Sequence, residues 1–239
     1  MPFFSRPTFC IHLLTLSGLA LAFSAIVLCA QGNLDASARS LLAVLVIDHL
    51  DGTMARHFRV SEKVPEVSGE TIDLVTDIAG LTFAPMFLFY RAGVFLPGWA
   101  LPVCLLAVMT CSLKYAMKQD ALERGYFSGA PPVYFSVFLL YFLHAPQTWA
   151  TVYILALTAL CLLPIRYPIT SIVTTHWKPG WQSITNYLSF LAMPFAFIYL
   201  DNAPAFIYWV LFANVLVQLL VMPLLLAVGI VQPGMRRAY

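Results

Sequence analysis

The chain predicts an all-α, polytopic membrane protein of about eight transmembrane helices, and three observations point there. Apolar residues fill 61% of its 239 positions and charged residues only 10%, with a mean hydropathy of +0.83, a balance that belongs to bilayer-embedded chains. Apolar runs of near-spanning length recur from one end to the other. The lysines and arginines fall into alternate connecting segments, as the cytoplasmic bias of basic loops requires.

Crossing about 30 Å of hydrocarbon at about 1.5 Å per helical residue takes some twenty apolar positions. Such runs lie at 11–30, 37–56, 70–90, 99–116, 132–145, 149–164, 184–200 and 206–230. The first reads as a membrane helix. Arg6 ahead of it and Leu28-Cys29-Ala30 at its end imitate a cleaved leader, but the run is nearer spanning length and many spans follow. In the third, Pro85 should kink or loosen the helix. The fifth and sixth are separated only by Ala145-Pro146-Gln147-Thr148, so they form a tight helical hairpin or an unusually short crossing. The longest polar connections are 57–69, 117–131 and 165–183, marked by breaks at Pro65, Pro131-Pro132 and Pro179-Gly180. No repeat, low-complexity tract or soluble domain interrupts them, so 1–239 reads as a single integral membrane domain.

With the N-terminus inside, the inner segments hold Arg6; Arg56, Arg59 and Lys63; Lys114, Lys118 and Arg124; Arg166 and Lys178; and Arg236 and Arg237. Of the 13 basic residues only Arg39 and Arg91 fall outside, and one span more or fewer would scramble that division. A formal charge of +2 and the lack of a basic run exclude a nucleic-acid partner. The five cysteines show no ligand spacing and read as small buried apolar residues.

Four aspartates stand out, because carboxylates inside a membrane mark functional sites. On the second span Asp48, Asp51, Gly52, Ala55 and Arg56 share one helical face; on the third, Gly69, Asp73 and Asp77 share another. Since the loop joining the two spans is cytoplasmic by the charge argument, the acids sit in the inner third of the membrane, at headgroup depth. Four carboxylates brought together need a counter-charge. All-oxygen ligation favours a pair of hard cations, Mg²⁺ or Mn²⁺, and two hard cations point to a diphosphate. Gly52, Ala55 and Gly69 leave room for a nucleotide against the backbone, and Arg56 can grip phosphate bidentately. His49, about 100° round the helix from Asp48, reads as an outer-face residue.

Asp48-x2-Asp51-Gly52-x2-Ala55-Arg56, twelve residues, then Gly69-x3-Asp73-x3-Asp77 resembles the signature of the CDP-alcohol phosphotransferases. The gap is longer than most of that family shows and is similar to its bacterial phosphatidylcholine synthase branch. So are His12-Leu13-Leu14-Thr15, Val64-Pro65, Ser68-Gly69, Phe127-Ser128-Gly129-Ala130-Pro131 and Pro164-Ile165-Arg166-Tyr167; the likeness weakens after about residue 175. The resemblance implies the family's helical bundle in the bacterial inner membrane, with its site toward the cytoplasm, and a homodimer. It implies that Asp48, Asp51 and Asp73 hold the metal pair, with Asp77 touching one metal and acting as base. Gly52 and Arg56 would contact the CDP part while Ala55 and Gly69 give clearance. The substrates would be CDP-diacylglycerol and choline.

Two alternatives stay open at this stage. A serine, inositol phosphate or glycerol phosphate acceptor fits the same motif, although a phosphorylated one calls for extra cations and only Arg59, Lys63 and Arg166 offer themselves. An ion-coupled transporter would also place acids in the membrane, but these gather toward one side and lack an inverted repeat. A quaternary ammonium is held by aromatic faces beside a carboxylate; Tyr115, Tyr126, Phe127, Tyr134 and Phe135, with Glu70, Asp120 and Glu123, flank the right segments.

Overall fold

The structure, a computed structural model, describes residues 8–117, 126–130, 144–168 and 204–228. Helices stand where six of the expected runs lie; the run at 184–200, and that at 132–145 up to residue 143, fall outside the described residues. The helices α1 (Phe9–Ala30), α2 (Leu34–Phe58), α3 (Val60–Lys63), α4 (Gly69–Asp77), α5 (Ala84–Arg91) and α6 (Ala100–Ala116) come first. Then follow β1 (Tyr126–Ser128), α7 (Gln147–Leu162), β2 (Arg166–Pro168), α8 (Ala205–Leu216) and α9 (Met222–Ala227). Of these, α1 and the continuous stretch Gly69–Arg91 are long and apolar enough to cross a membrane, at 22 and 23 residues. Two compact units divide the chain, the first ending at Cys104 and the second beginning at Leu105.

In the first unit the chain turns between α1 and α2 at Gly32, whose φ of +85° suits only glycine. The Asn33 side chain then accepts from the Ala36 N–H at 3.2 Å and starts α2. The two helices pack through small residues: Gly18, Ala22, Ala25 and Cys29 are buried along one face of α1, and the Ser37 hydroxyl donates to the Ala25 carbonyl at 2.8 Å. Small faces are how helices associate where lipid is as apolar as leucine. Large side chains take the opposite place, with Phe23 at 68% exposed and Trp149, in the second unit, at 69%.

The third span behaves as Pro85 requires. Residues Ile78–Phe83 between α4 and α5 wind as a π-helix, the wider turn that absorbs the N–H proline lacks. Past α2, Arg59 adopts a left-handed conformation at φ 50° and Val60 and Val64 are buried, which pins the 57–69 connection.

The second unit departs from an all-α reading. Strands β1 and β2 pair antiparallel, with Phe127 opposite Tyr167 and Ser128 opposite Arg166. Prolines explain it: Leu163 and Tyr167 each precede one and are held extended. Gly129 turns at φ +81°, and the Gly129 N–H donates to the Ile165 carbonyl at 2.7 Å. Lys114, read from sequence as a loop charge, is buried in the last turn of α6. Its ammonium donates to the Ser128 carbonyl and, at 3.4 Å, to that of Cys161, so the ends of α6 and α7 meet at the ribbon. Tyr167 is buried as well, which raises its phenol above the usual range. Four of the five cysteines are buried; Cys10 is exposed.

Candidate functional site

Three helices of the first unit build the site. Ser68 opens α4 as its N-cap, accepting from the Thr71 N–H at 3.2 Å and from the Thr71 hydroxyl at 2.8 Å. That cap fixes the register in which Asp73 and Asp77, four residues apart, emerge on one side of the helix. Asp48 faces them from α2. One carboxylate oxygen from each of Asp48, Asp73 and Asp77 lies within 4.8 Å of the others. Oxygens around a single hard cation at about 2.1 Å stand roughly 3 to 4.2 Å apart, so small side-chain adjustments close this group on an ion. Asp73 is exposed and the other two half-buried, a cluster open on one side to a ligand.

The fourth aspartate is placed differently. Asp51 is buried, only 3% exposed, and stands outside that group of three. Gly52 and Ala55 lie half-buried on α2; the Arg56 side chain is outside what the structure describes. Of the aromatic and acidic residues considered for an ammonium, Tyr115 is half-buried and Glu70 is exposed in the first turn of α4. Tyr134, Phe135, Asp120 and Glu123 lie outside the described residues, as do the side chains of Tyr126 and Phe127.

α1 brings a residue that metal-ligand spacing passed over. His12 is buried and its Nε2 has no hydrogen-bond partner among the described residues. Its ring lies against Gly69: a Cβ at that position would meet His12 Cε1 at 3.1 Å and Nδ1 at 3.7 Å. The clearance at Gly69 is therefore used by this imidazole. Thr15, one turn along α1, is also buried and donates to the Ile11 carbonyl at 3.3 Å. The sequence did carry a signal here, since His12 and Thr15 stand in one of the stretches that bore the family likeness.

Chemically, the site offers a cluster of three acids and a buried histidine beside the first turn of α4. Such a cluster could hold a cation and, through it, an anion.

A family model described as CDP-alcohol phosphatidyltransferase matches residues 11–163. The chain is similar to proteins named phosphatidylcholine synthase. It is 30% identical to that of Rhizobium johnstonii over 168 residues, 70% of this chain and 69% of the relative. It is 32% identical to that of Pseudomonas aeruginosa over 66% of this chain and 68% of the relative. With that of Borreliella burgdorferi the match is 28% over 52% and 53%.

Proposed function

From the premise that the chain belongs to the CDP-alcohol phosphatidyltransferase family, we propose that it transfers the phosphatidyl group of CDP-diacylglycerol to choline, releasing CMP. The observation that carries this reading is the convergence of Asp48, Asp73 and Asp77 from two helices, at the positions where the family motif has its acids. The relatives' shared name supplies the acceptor.

In this reading Asp48, Asp51, Asp73 and Asp77 hold two divalent cations, Mg²⁺ or Mn²⁺. When bound, these neutralise charge on the diphosphate and on the leaving CMP. Arg56 binds phosphate as a two-pronged donor, and Gly52 and Ala55 let the nucleotide lie close to α2. Gly69 gives room at the head of α4, shared with the His12 ring. Asp77 takes the proton of the choline hydroxyl. That oxygen bonds to the lipid-side phosphorus, the bond from this phosphorus to the bridging oxygen breaks, and CMP departs with the bridging oxygen. Phosphatidylcholine stays in the membrane.

We place the enzyme in the bacterial inner membrane as eight spans, one catalytic domain over 1–239, with the site facing the cytoplasm and two copies associating as a homodimer. The test supplies purified protein with CDP-diacylglycerol and Mn²⁺ or Mg²⁺. Choline, serine, inositol phosphate and glycerol phosphate are offered in parallel, and CMP release is followed. Release with choline is expected. Release with phosphorylated alcohols alone would overturn the acceptor and leave the reaction class standing.

A further inference from the structure

We propose that Gly80 and Gly18 are positioning residues for the carboxylate cluster, setting how closely three helices approach and hence the spread of the Asp48, Asp73 and Asp77 oxygens. The inference rests on the reading of that cluster as a metal site.

Gly80 lies three residues beyond Asp77 on the same continuous helix, and Val44 lies four residues before Asp48 on α2. The two meet. A Cβ added at Gly80 would stand 2.6 Å from Val44 Cγ1 and 3.6 Å from the Ala22 Cβ of α1. The first distance is about an ångström short of ordinary carbon contact. Neither neighbour yields easily: Val44 and Ala22 are each 1% exposed, and a β-branched side chain has little freedom about χ1. Only hydrogen fits at position 80 while the helices keep their separation.

α1 closes the arrangement from the other side. A Cβ at Gly18 would meet Thr76 Cγ2 at 3.1 Å and Ile47 Cγ2 at 3.5 Å. Thr76 and Ile47 are the residues immediately before Asp77 and Asp48. One glycine thus admits the side chains next to the acids and the other a side chain one turn away, so together they let the two acid-bearing helices close on each other and on α1. Position tells in a metal site, because ligand distances must hold to within about 0.2 Å. Alanine is otherwise the better helix former, so these glycines are held against local preference.

The test measures Mn²⁺ binding without substrate, by the electron paramagnetic resonance signal of the free ion, together with thermal unfolding of the metal-free protein. Gly80→Ala should weaken Mn²⁺ binding about tenfold or more, as changes behind a ligand shell do. Adding Val44→Ala, which removes the obstructing methyls, should restore most of the affinity although Val44→Ala alone leaves a cavity. Gly18→Ala, short of room by only a few tenths of an ångström, should weaken binding less and be restored by Thr76→Ser, which deletes Cγ2 and keeps the hydroxyl. Non-additive rescue of this kind identifies direct contact.

Glycines that served stability alone would lower the unfolding midpoint and leave the affinity of the folded protein unchanged. That result overturns the proposal, as does weakened binding that the partner truncations fail to restore. Should Gly80→Ala not fold, the Gly18 and Thr76 pair decides by the same criteria. A wild-type protein that binds no Mn²⁺ would overturn the metal reading and this inference with it, whereas equal binding by wild type and Gly80→Ala would overturn the positioning role alone.

Discussion

In the first unit three carboxylates from α2 and α4 gather within 4.8 Å of one another, while in the second a single ammonium, that of Lys114, is wrapped by the Ser128 and Cys161 carbonyls. Both arrangements put charge into a largely apolar molecule, and they handle it in opposite ways. Carboxylate oxygens gathered at this spacing present a geometry that a hard cation can bridge. A buried cation supplied with backbone acceptors has its hydrogen-bonding needs met locally and ties structure together. What separates the two is thus the geometry each presents: oxygens that converge with one acid exposed to a ligand, against a donor enclosed by backbone acceptors.

The sharpest break of this comparison falls on the first unit. Asp77→Asn keeps the size of the side chain and one oxygen but removes the ability to accept a proton, so CMP release should fall by about 10²- to 10⁴-fold. Nucleotide binding, measured by equilibrium dialysis of CMP, should stay near wild type. Near-normal turnover in that variant would remove Asp77 from the role of base.

The second unit should respond in stability instead. Lys114→Met preserves the apolar stem and deletes the donor to the Ser128 and Cys161 carbonyls, at a cost of about 1–3 kcal/mol. A lower midpoint of thermal unfolding is expected, with Mn²⁺ affinity unchanged in the folded protein. If CMP release were lost with no change in midpoint, Lys114 would belong with the functional residues and the contrast between the units would dissolve.

What the sequence disclosed follows the same division. Helical periodicity is local, so the acid-bearing faces of α2 and α4 were legible from spacing, as were the six expected runs that carry helices among the described residues. Pro85 foretold the loosened turn at Ile78–Phe83. Periodicity also blurred one assignment: three residues advance a helix by about 300°, which leaves Asp51 some 60° round from Asp48, against about 40° between Asp73 and Asp77. Asp51 is buried and is not one of the three acids whose oxygens lie within 4.8 Å of one another. The β-ribbon, the carbonyl partners of Lys114 and the close approach at Gly80 join residues distant in sequence. Composition and spacing carry no information on such pairings. His12 was visible as a residue of the family likeness, yet its place against Gly69 arises only when α1 folds onto α4.

The smallest expected effect lies at the head of α4. Gly69 is a poor first residue for a helix, and the Ser68 cap offsets that weakness through its two contacts with Thr71. Ser68→Ala should cost about 1 kcal/mol and fray the turn that leads to Asp73, so the carboxylates would pay more entropy to close on an ion. The rate of CMP release should therefore drop at limiting Mn²⁺ and recover at saturating Mn²⁺, while Ser68→Thr, which keeps the hydroxyl, should follow wild type across the titration. A deficit that saturating Mn²⁺ does not remove would mean that Ser68 acts on something other than the order of this first turn, because a frayed helix that the ion can rebuild must regain its rate once the ion is in excess.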